Sequence, residues 1–312
     1  MSNQIGVLAM AYGTPESLEQ VEAYYTHIRR GHKPTPELLN DLTERYRRIG
    51  GVSPLNEITK KQTEGLERLL NESRDGVTYR VYTGMKHNNP FIEDTVKQMA
   101  DDGIQKAVGI VLAPHYSSMS VGTYISAAEK GAAEHGTPAF TFVREWHLHP
   151  LFLNGLEKRL LAALKQFSDA ERENLHVLFT AHSLPERILQ LNDPYPNQLT
   201  ATASALAERI EQKRWSFAWQ SAGRTADPWL GPDVLDVLRE LKEQGVRNVI
   251  ISAIGFVADH LEVLYDIDIE CQGLAKELGI KLLRTAMFNA DADFLQTLAS
   301  VVREQAKKEG LL

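Results

Sequence analysis

Short apolar runs alternate with longer helical patterns along this chain, and that alternation restricts its fold more than any other feature. Strands are expected at Ile5–Ala11, Tyr79–Thr83, Ala107–Ala113 and Ala139–Val143, and again at His176–Ala181, Ser216–Trp219, Val249–Ile254 and Lys281–Arg284. Helical spacing places helices at Ile58–Ser73, Ile92–Asp101, Leu151–Gln166, Leu199–Gln212 and Val234–Gln244. A closing helix, Asp291–Lys308, turns Phe294, Leu295, Leu298, Val301 and Val302 inward. Strand and helix in strict alternation make an α/β protein with parallel sheets flanked by crossover helices.

An internal repeat divides the series. Met10–Glu16 aligns with Thr180–Glu186, Pro90–Ile92 with Pro228–Leu230, and Ile110–Tyr124 with Ile251–Tyr265, in the same order and each after an expected strand. Two similar Rossmann-like domains follow, each a small parallel sheet flanked by helices: residues 1–150, with a basic, Gly/Pro-punctuated lip at 29–55, and residues 151–312, with the last helix packing back on the first domain. Open α/β sheets bind ligands beyond the carboxyl ends of their strands. Tyr12 and His182 follow the first strand of each domain, and His115 and the segment Gly255–Glu262 follow the third. These loops are expected to line one cleft.

After Gly255 a helical pattern sets Glu262, Asp266 and Glu270 at i, i+4 and i+8, which in an α-helix is one face about 12 Å long. Like charges at that spacing repel. The row is either a solvated acidic surface or a path that a cation or a flow of protons relieves. His182 alone would most often be structural. Together with Glu262 it offers one nitrogen and one oxygen ligand, enough to hold a divalent metal briefly and too few to keep it. Both groups can also accept protons.

Composition narrows the classes. The net charge of −7 argues against a general nucleic-acid binder. A single cysteine, Cys271, excludes an internal disulfide and a cysteine-ligated iron–sulfur cluster, and is expected to be a small buried side chain. No apolar run is long enough to span a bilayer, and the N-terminus carries no signal-peptide pattern, so stable membrane insertion is not expected and a cytoplasmic location is. There is no GxGxxG after the first strand, no P-loop and no HExxH, and Ser183 beside His182 lacks the glycines of a nucleophile elbow.

The segments Ala11–Pro15, Tyr24–Gly31, Gly50–Leu55, Ala113–Ser117, Ala181–Pro185, Trp219–Ser221, Asp227–Pro232 and Gly255–Asp266 together resemble the ferrochelatase family nearly end to end. The likeness is closest to the soluble coproporphyrin III ferrochelatases of Gram-positive bacteria. It implies a lyase that inserts Fe(II) into a porphyrin, most naturally coproporphyrin III, in haem biosynthesis. It also implies that His182 and Glu262 are the catalytic metal-site pair and that Tyr12 is axial to the product iron. Arg29, Arg45, Tyr46, Ser53 and Tyr124 would contact the porphyrin and its propionates, and Asp266 and Glu270 would form an outer relay. His260 would orient its neighbours. Fe2+ is then a substrate and no cofactor is permanently bound; a monomer with transient partners in haem synthesis is expected.

The sequence departs from the family at Asp266–Glu270, where relatives often read Asp-Asn-Asp-Tyr-Glu, and in Ile125–Ala128, which lacks basic residues often found there. A chelatase for another metal or tetrapyrrole, and a non-catalytic haem or metal carrier, remain alternatives.

Overall fold

The computed structural model describes residues 3–72, 76–225 and 227–312. Among them the strands are β1 (Asn3–Ala11), β2 (Val77–Met85), β3 (Lys106–Val111), β4 (Ala139–Val143), β5 (Leu175–His182), β6 (Trp215–Gln220), β7 (Asn248–Ser252) and β8 (Lys281–Arg284). They form two sheets, ordered β2-β1-β3-β4 and β6-β5-β7-β8, with every pairing parallel. The two orders are the same, as the internal repeat predicts. In such an order the chain reverses direction between the first and third strands, and that switch point is where an open sheet leaves a crevice for ligands.

The chain divides into two compact units. One contains the described residues of Met1–Pro114 with Ser120–Trp146 and Asn289–Leu312; the other contains His115–Met119 and His147–Phe288. The expected boundary after residue 150 thus falls just past the observed one. The short crossing segment His115–Met119 was not anticipated. Its reason is polar: Asp193 Oδ2 accepts from Ser118 N and Ser118 Oγ, both at 2.7 Å, and from Ser117 Oγ at 3.0 Å. Gln198 Oε1 accepts from Tyr116 N at 2.7 Å.

In the first unit, Ile5, Val7, Leu8, Val108 and Ile110 of the central strands are fully buried. The helix Leu55–Glu72 covers this sheet and receives the closing helix Ala292–Lys308. Gly65 permits that approach, since a Cβ there would lie 2.5 Å from Leu295 Cδ1. Arg303 Nη2 donates to the carbonyls of Leu69 and Leu70 at 2.7 and 3.2 Å, satisfying acceptors that a helix end leaves open. Ser73, where the sequence pattern ends the first of these helices, lies outside the described residues. On the outer strand β2, Asn71 accepts from Tyr79 N and donates to Tyr79 O, both at 2.8 Å, and Glu67 accepts from Val81 N at 2.7 Å.

Within 29–55 lies a helix not among those expected from the sequence, Pro36–Arg48, capped by the Thr35 hydroxyl with Pro36 in the first turn. Gly50 and Gly51, with φ of 107° and 104°, then turn the chain in a conformation that favours glycine.

In the second unit, Leu178, Leu238, Val249, Ile251, Val263, Ile267 and Cys271 form the core. Strand β7 stops two residues before the apolar run does: Ile254 N turns back to Ser252 O at 2.9 Å, while Ala253 and Ile254 stay buried in the turn. The helix Tyr195–Arg209 begins earlier than its apolar pattern because Pro196 fits a first turn.

The largest correction concerns the acidic helix. Val263–Cys271 is a π-helix, continued by an α-helix at Gln272–Leu278. Gln272 N reaches back five residues to Ile267 O, the defining bond of that wider coil. The carboxylates therefore do not have the α-helical register that the spacing alone gives.

Candidate metal and porphyrin site

At the switch point of the second sheet, His182 comes from a strand end and Glu262 from the segment that follows β7. His182 is the last residue of β5, and Gly255 brings the loop after β7 against it. Gly255 N donates to Thr180 O at 3.2 Å, and a Cβ on Gly255 would sit 2.4 Å from Ala181 Cβ. Only glycine allows that contact without a shift in β5.

His182 is held by its backbone and by one ring nitrogen. Tyr195 Oη donates to His182 O at 3.1 Å. Its Nδ1 is hydrogen-bonded to the Ser183 carbonyl, which can only accept, so Nδ1 carries a proton and the bond fixes the orientation of the ring. Trp229 and Phe256 stand around the ring with centroids 6.4 and 6.5 Å away. Ser183 is wholly buried and donates from Oγ to Leu230 O at 2.8 Å, which makes it a structural hydroxyl.

Glu262 precedes the π-helix with its side chain 29% exposed. Its Oε2 lies 3.0 Å from His260 Nε2, and His260 Nδ1 donates to Ala258 O at 2.9 Å. Burial opposes charge on both groups. For Glu262 the opposition is overcome by the positive charge and hydrogen bond of His260, with a contribution from His182, and the pKa falls to about 2. For His260 burial is likewise outweighed, chiefly by Glu262 and then by the Ala258 carbonyl and Asp266, and the pKa rises. An imidazolium–carboxylate pair results. His260 thus lies directly against Glu262, and the charge of His182 reaches the same carboxylate.

One turn on, Asp266 is buried, only 6% exposed. Ser221 Oγ donates to its Oδ2, and Gln220 Nε2 lies 3.5 Å from the same oxygen. Gln220 also donates to Glu262 O at 3.1 Å while accepting from Thr180 Oγ1 at 2.9 Å. Ser221 holds a left-handed φ of 60°, unusual outside glycine. Glu270 is half-buried. Asp268 faces another way, into a fork from Arg284 with N–O distances of 2.7 and 2.9 Å. Cys271 is buried as expected, and burial followed by the charge of Asp266 raises its thiol pKa.

In the first unit Tyr12 follows β1 and is 38% exposed. Its ring centroid lies 4.6 Å from that of His87, whose backbone N donates to Tyr12 O at 2.9 Å. The loop after Tyr12 is braced on several sides. Asn56 and Asn88 donate to Thr14 O at 2.8 and 3.0 Å, and Tyr24 donates to Gly13 O at 3.2 Å. Tyr46, buried to 1%, shares a 3.0 Å hydrogen bond between its hydroxyl and Thr14 Oγ1. Tyr46 is thus enclosed beneath the loop it supports rather than set on an open surface.

The remaining expected contacts are dispersed. Arg29 donates from Nε to His32 O at 3.3 Å and lies 5.7 Å from the Tyr25 ring centre. Arg45 is half-buried and paired with Asp41 at 3.2 Å. Ser53 Oγ accepts from Leu55 N at 3.3 Å at the start of its helix. Tyr124 is 5% exposed, with Lys86 Nζ 5.0 Å from its ring centre.

Lys86 and His87 were missed in the sequence, where only the loops after first and third strands received weight; these two follow β2. Lys86 donates to Thr123 Oγ1 at 2.8 Å, and burial, then Arg30, lower its pKa to about 8. His87 Nδ1 lies 2.9 Å from His27 Nδ1, and burial, then Lys86 and His27, lower its pKa to about 3. A neutral His87 backs the Tyr12 ring.

Two parallel sheets of the same order, with a His/Glu pair at one switch point, define a chelatase-like protein. The solved SirB of Bacillus subtilis with Fe3+ has this fold: TM-score 0.62 at 12% identity, over 98% of this chain and 97% of that one. Sequence likeness goes further. The chain is 49% identical over 313 residues to coproporphyrin III ferrochelatase 1 of Bacillus cereus, covering 100% of each. It is 48% identical to the coproporphyrin III ferrochelatase of Anoxybacillus flavithermus, covering 99% of each. The ferrochelatase family model matches residues 4–306, and this chain belongs to that family. Among the described residues no helix is long and apolar enough to cross a membrane.

Proposed function

We propose that the protein inserts Fe(II) into coproporphyrin III, giving coprohaem and two released protons, as a step of haem synthesis in the cytoplasm. The observation that carries this reading is the full-length likeness, at 49% identity, to curated coproporphyrin III ferrochelatases. The protein would act as a monomer with Fe2+ as substrate, no resident cofactor and only passing contact with other enzymes of haem synthesis.

The geometry supports a definite division of roles. Fe(II) meets His182 Nε2 and the Glu262 carboxylate, a donor set too small to retain it, so the ion passes on to the four pyrrole nitrogens. Binding energy from the porphyrin's periphery, spent on distorting the ring, tilts those nitrogens toward the metal. As the metal enters, two N–H bonds break and their protons pass to water through His182, Glu262 and the outer carboxylates Asp266 and Glu270. Tyr12 ligates the product iron from its phenol. Arg29, Arg45, Ser53 and Tyr124, with Lys86 beside the last, receive the propionates, for which guanidinium forks are well shaped.

An anaerobic insertion assay with Fe(II) tests this, offering coproporphyrin III and protoporphyrin IX separately at catalytic protein concentrations. Many turnovers with preference for coproporphyrin III are expected. Preference for protoporphyrin IX would overturn the substrate, and binding without metallation would make the protein a carrier.

A further inference from the structure

Arg284, at the carboxyl end of β8, holds two carboxylates at once. Its Nε and Nη2 form a fork on Asp268 at 2.7 and 2.9 Å, and Nη2 also lies 3.2 Å from Asp259 Oδ1. Its Nη1 donates to Thr285 O at 3.2 Å, which ties the guanidinium to its own strand end. The side chain is only 15% exposed, so these bonds are poorly screened by solvent. Asp259 lies in the loop just before Glu262, and Asp268 lies in the π-helix just after it. One guanidinium therefore fixes the chain on both sides of Glu262.

The opposite side of the same helix is fixed separately. Gln220 and Ser221, at the end of β6, hold Asp266 and the Glu262 carbonyl. A π-helix is a rare backbone that needs such support, and here it is supported from the ends of two different strands. The five acidic residues from Asp259 to Glu270 then fall into two sets. Asp259 and Asp268 share the single positive charge of Arg284, whereas Glu262 faces His260 and Asp266 faces Ser221.

We propose that Arg284 is a positioning residue for metal delivery, setting the place of the Glu262 carboxylate by clamping Asp259 and Asp268, without itself touching metal or porphyrin. The inference rests on the chelatase reading of Glu262. Outer partners of this kind alter metal affinity or activity by about 10–100-fold when removed.

The test compares wild type with Arg284→Gln, Arg284→Lys and the double variant Arg284→Leu/Asp268→Leu, each checked for folding by circular dichroism and thermal unfolding. Arg284→Gln should lower kcat/KM for Fe(II) by about 10–100-fold while the coproporphyrin III dissociation constant, read by fluorescence, stays within about two-fold. Arg284→Lys keeps the charge but not the fork, and should recover only part of the loss. The double variant removes the fork as a pair, leaves only Asp259 without its guanidinium, and should fold, yet remain impaired toward metal. Unchanged metal kinetics in a folded Arg284→Gln would overturn the proposal, as would an equal loss of porphyrin binding and metal kinetics. Wild type in the same assay separates this result from the activity itself. If wild type does not metallate, the chelatase reading fails, and Arg284 is judged by Co(II) titration of the apoprotein. There a weaker midpoint for Arg284→Gln supports positioning, and an unchanged one refutes it.

Discussion

His260 and Glu262 meet at 3.0 Å as an ion pair inside the site, so the carboxylate proposed to receive a metal is already charged and already occupied. An arriving cation therefore competes with an imidazolium rather than with a proton on the carboxylate itself.

Removing that charge should stop the reaction. Glu262→Gln keeps the size of the side chain but loses the anionic ligand and proton acceptor, and kcat should fall by about 100-fold or more. Coproporphyrin binding should survive, since the porphyrin contacts proposed here lie on other residues. Steady-state kinetics alongside fluorescence titration of the porphyrin checks both halves. Retained turnover would remove Glu262 from the mechanism.

The same pair should leave a signature in the pH dependence of stability. Glu262 has a depressed pKa, so its contribution is present above its unfolded value of about 4.3 and is lost as pH falls toward about 2. His260 has a raised pKa, so its contribution is complete below its unfolded value of about 6.5 and is lost as pH rises through the folded one. The Tm difference between wild type and His260→Gln should therefore be widest from about pH 4.3 to 6.5 and narrow on both sides. A difference that does not change with pH would mean that packing, not charge, is what His260 contributes.

Ser221 should matter through both its hydroxyl and its backbone. Ser221→Val takes the donor from a buried carboxylate, at a cost of about 1–3 kcal/mol, and adds a branched Cβ at a φ of 60°. Ser221→Gly loses the same donor but relaxes the backbone, so it should be the milder change. Urea unfolding of the two variants gives the order directly. Asp266→Asn, which keeps the shape but not the charge, should reduce turnover less than Glu262→Gln.

A methyl group at residue 255 should displace the strand that ends in His182. In Gly255→Ala the new Cβ meets Ala181 Cβ and Cα at 2.4 and 2.9 Å, and the second of these is backbone. Overpacking of this kind costs about 1–3 kcal/mol. Because Ala181 adjoins His182, the loss should appear in Fe(II) kinetics as well as in Tm. A variant with lowered Tm and wild-type metal kinetics would show that the strand yields elsewhere.

Much of this was legible in the sequence because the signals were local. Apolar runs gave the strands to within a few residues, and matching Met10–Glu16 with Thr180–Glu186 indicated two sheets of one order. Strand ends then drew attention to Tyr12, His182 and Glu262. What escaped depended on contacts between distant segments. The π-helix was hidden because Val263, Ile267 and Cys271 recur every four residues, close to one turn of either coil. The burial of Tyr46 was not legible because nothing local announces its bond to Thr14. Lys86 and His87 had no motif of their own, and Arg284 looked like the polar end of a short strand until both its carboxylates were in place.

The side chains lying along β2 bear on how this molecule meets its neighbours. Asn71 gives Tyr79 both of the bonds that an adjoining strand would supply, and Glu67 does the same for the amide of Val81. A second polypeptide seeking to extend the sheet would first have to evict those two side chains, one of them charged. That stretch of the rim is thus already dressed, which disfavours extension of the sheet by a second strand at Tyr79 and Val81.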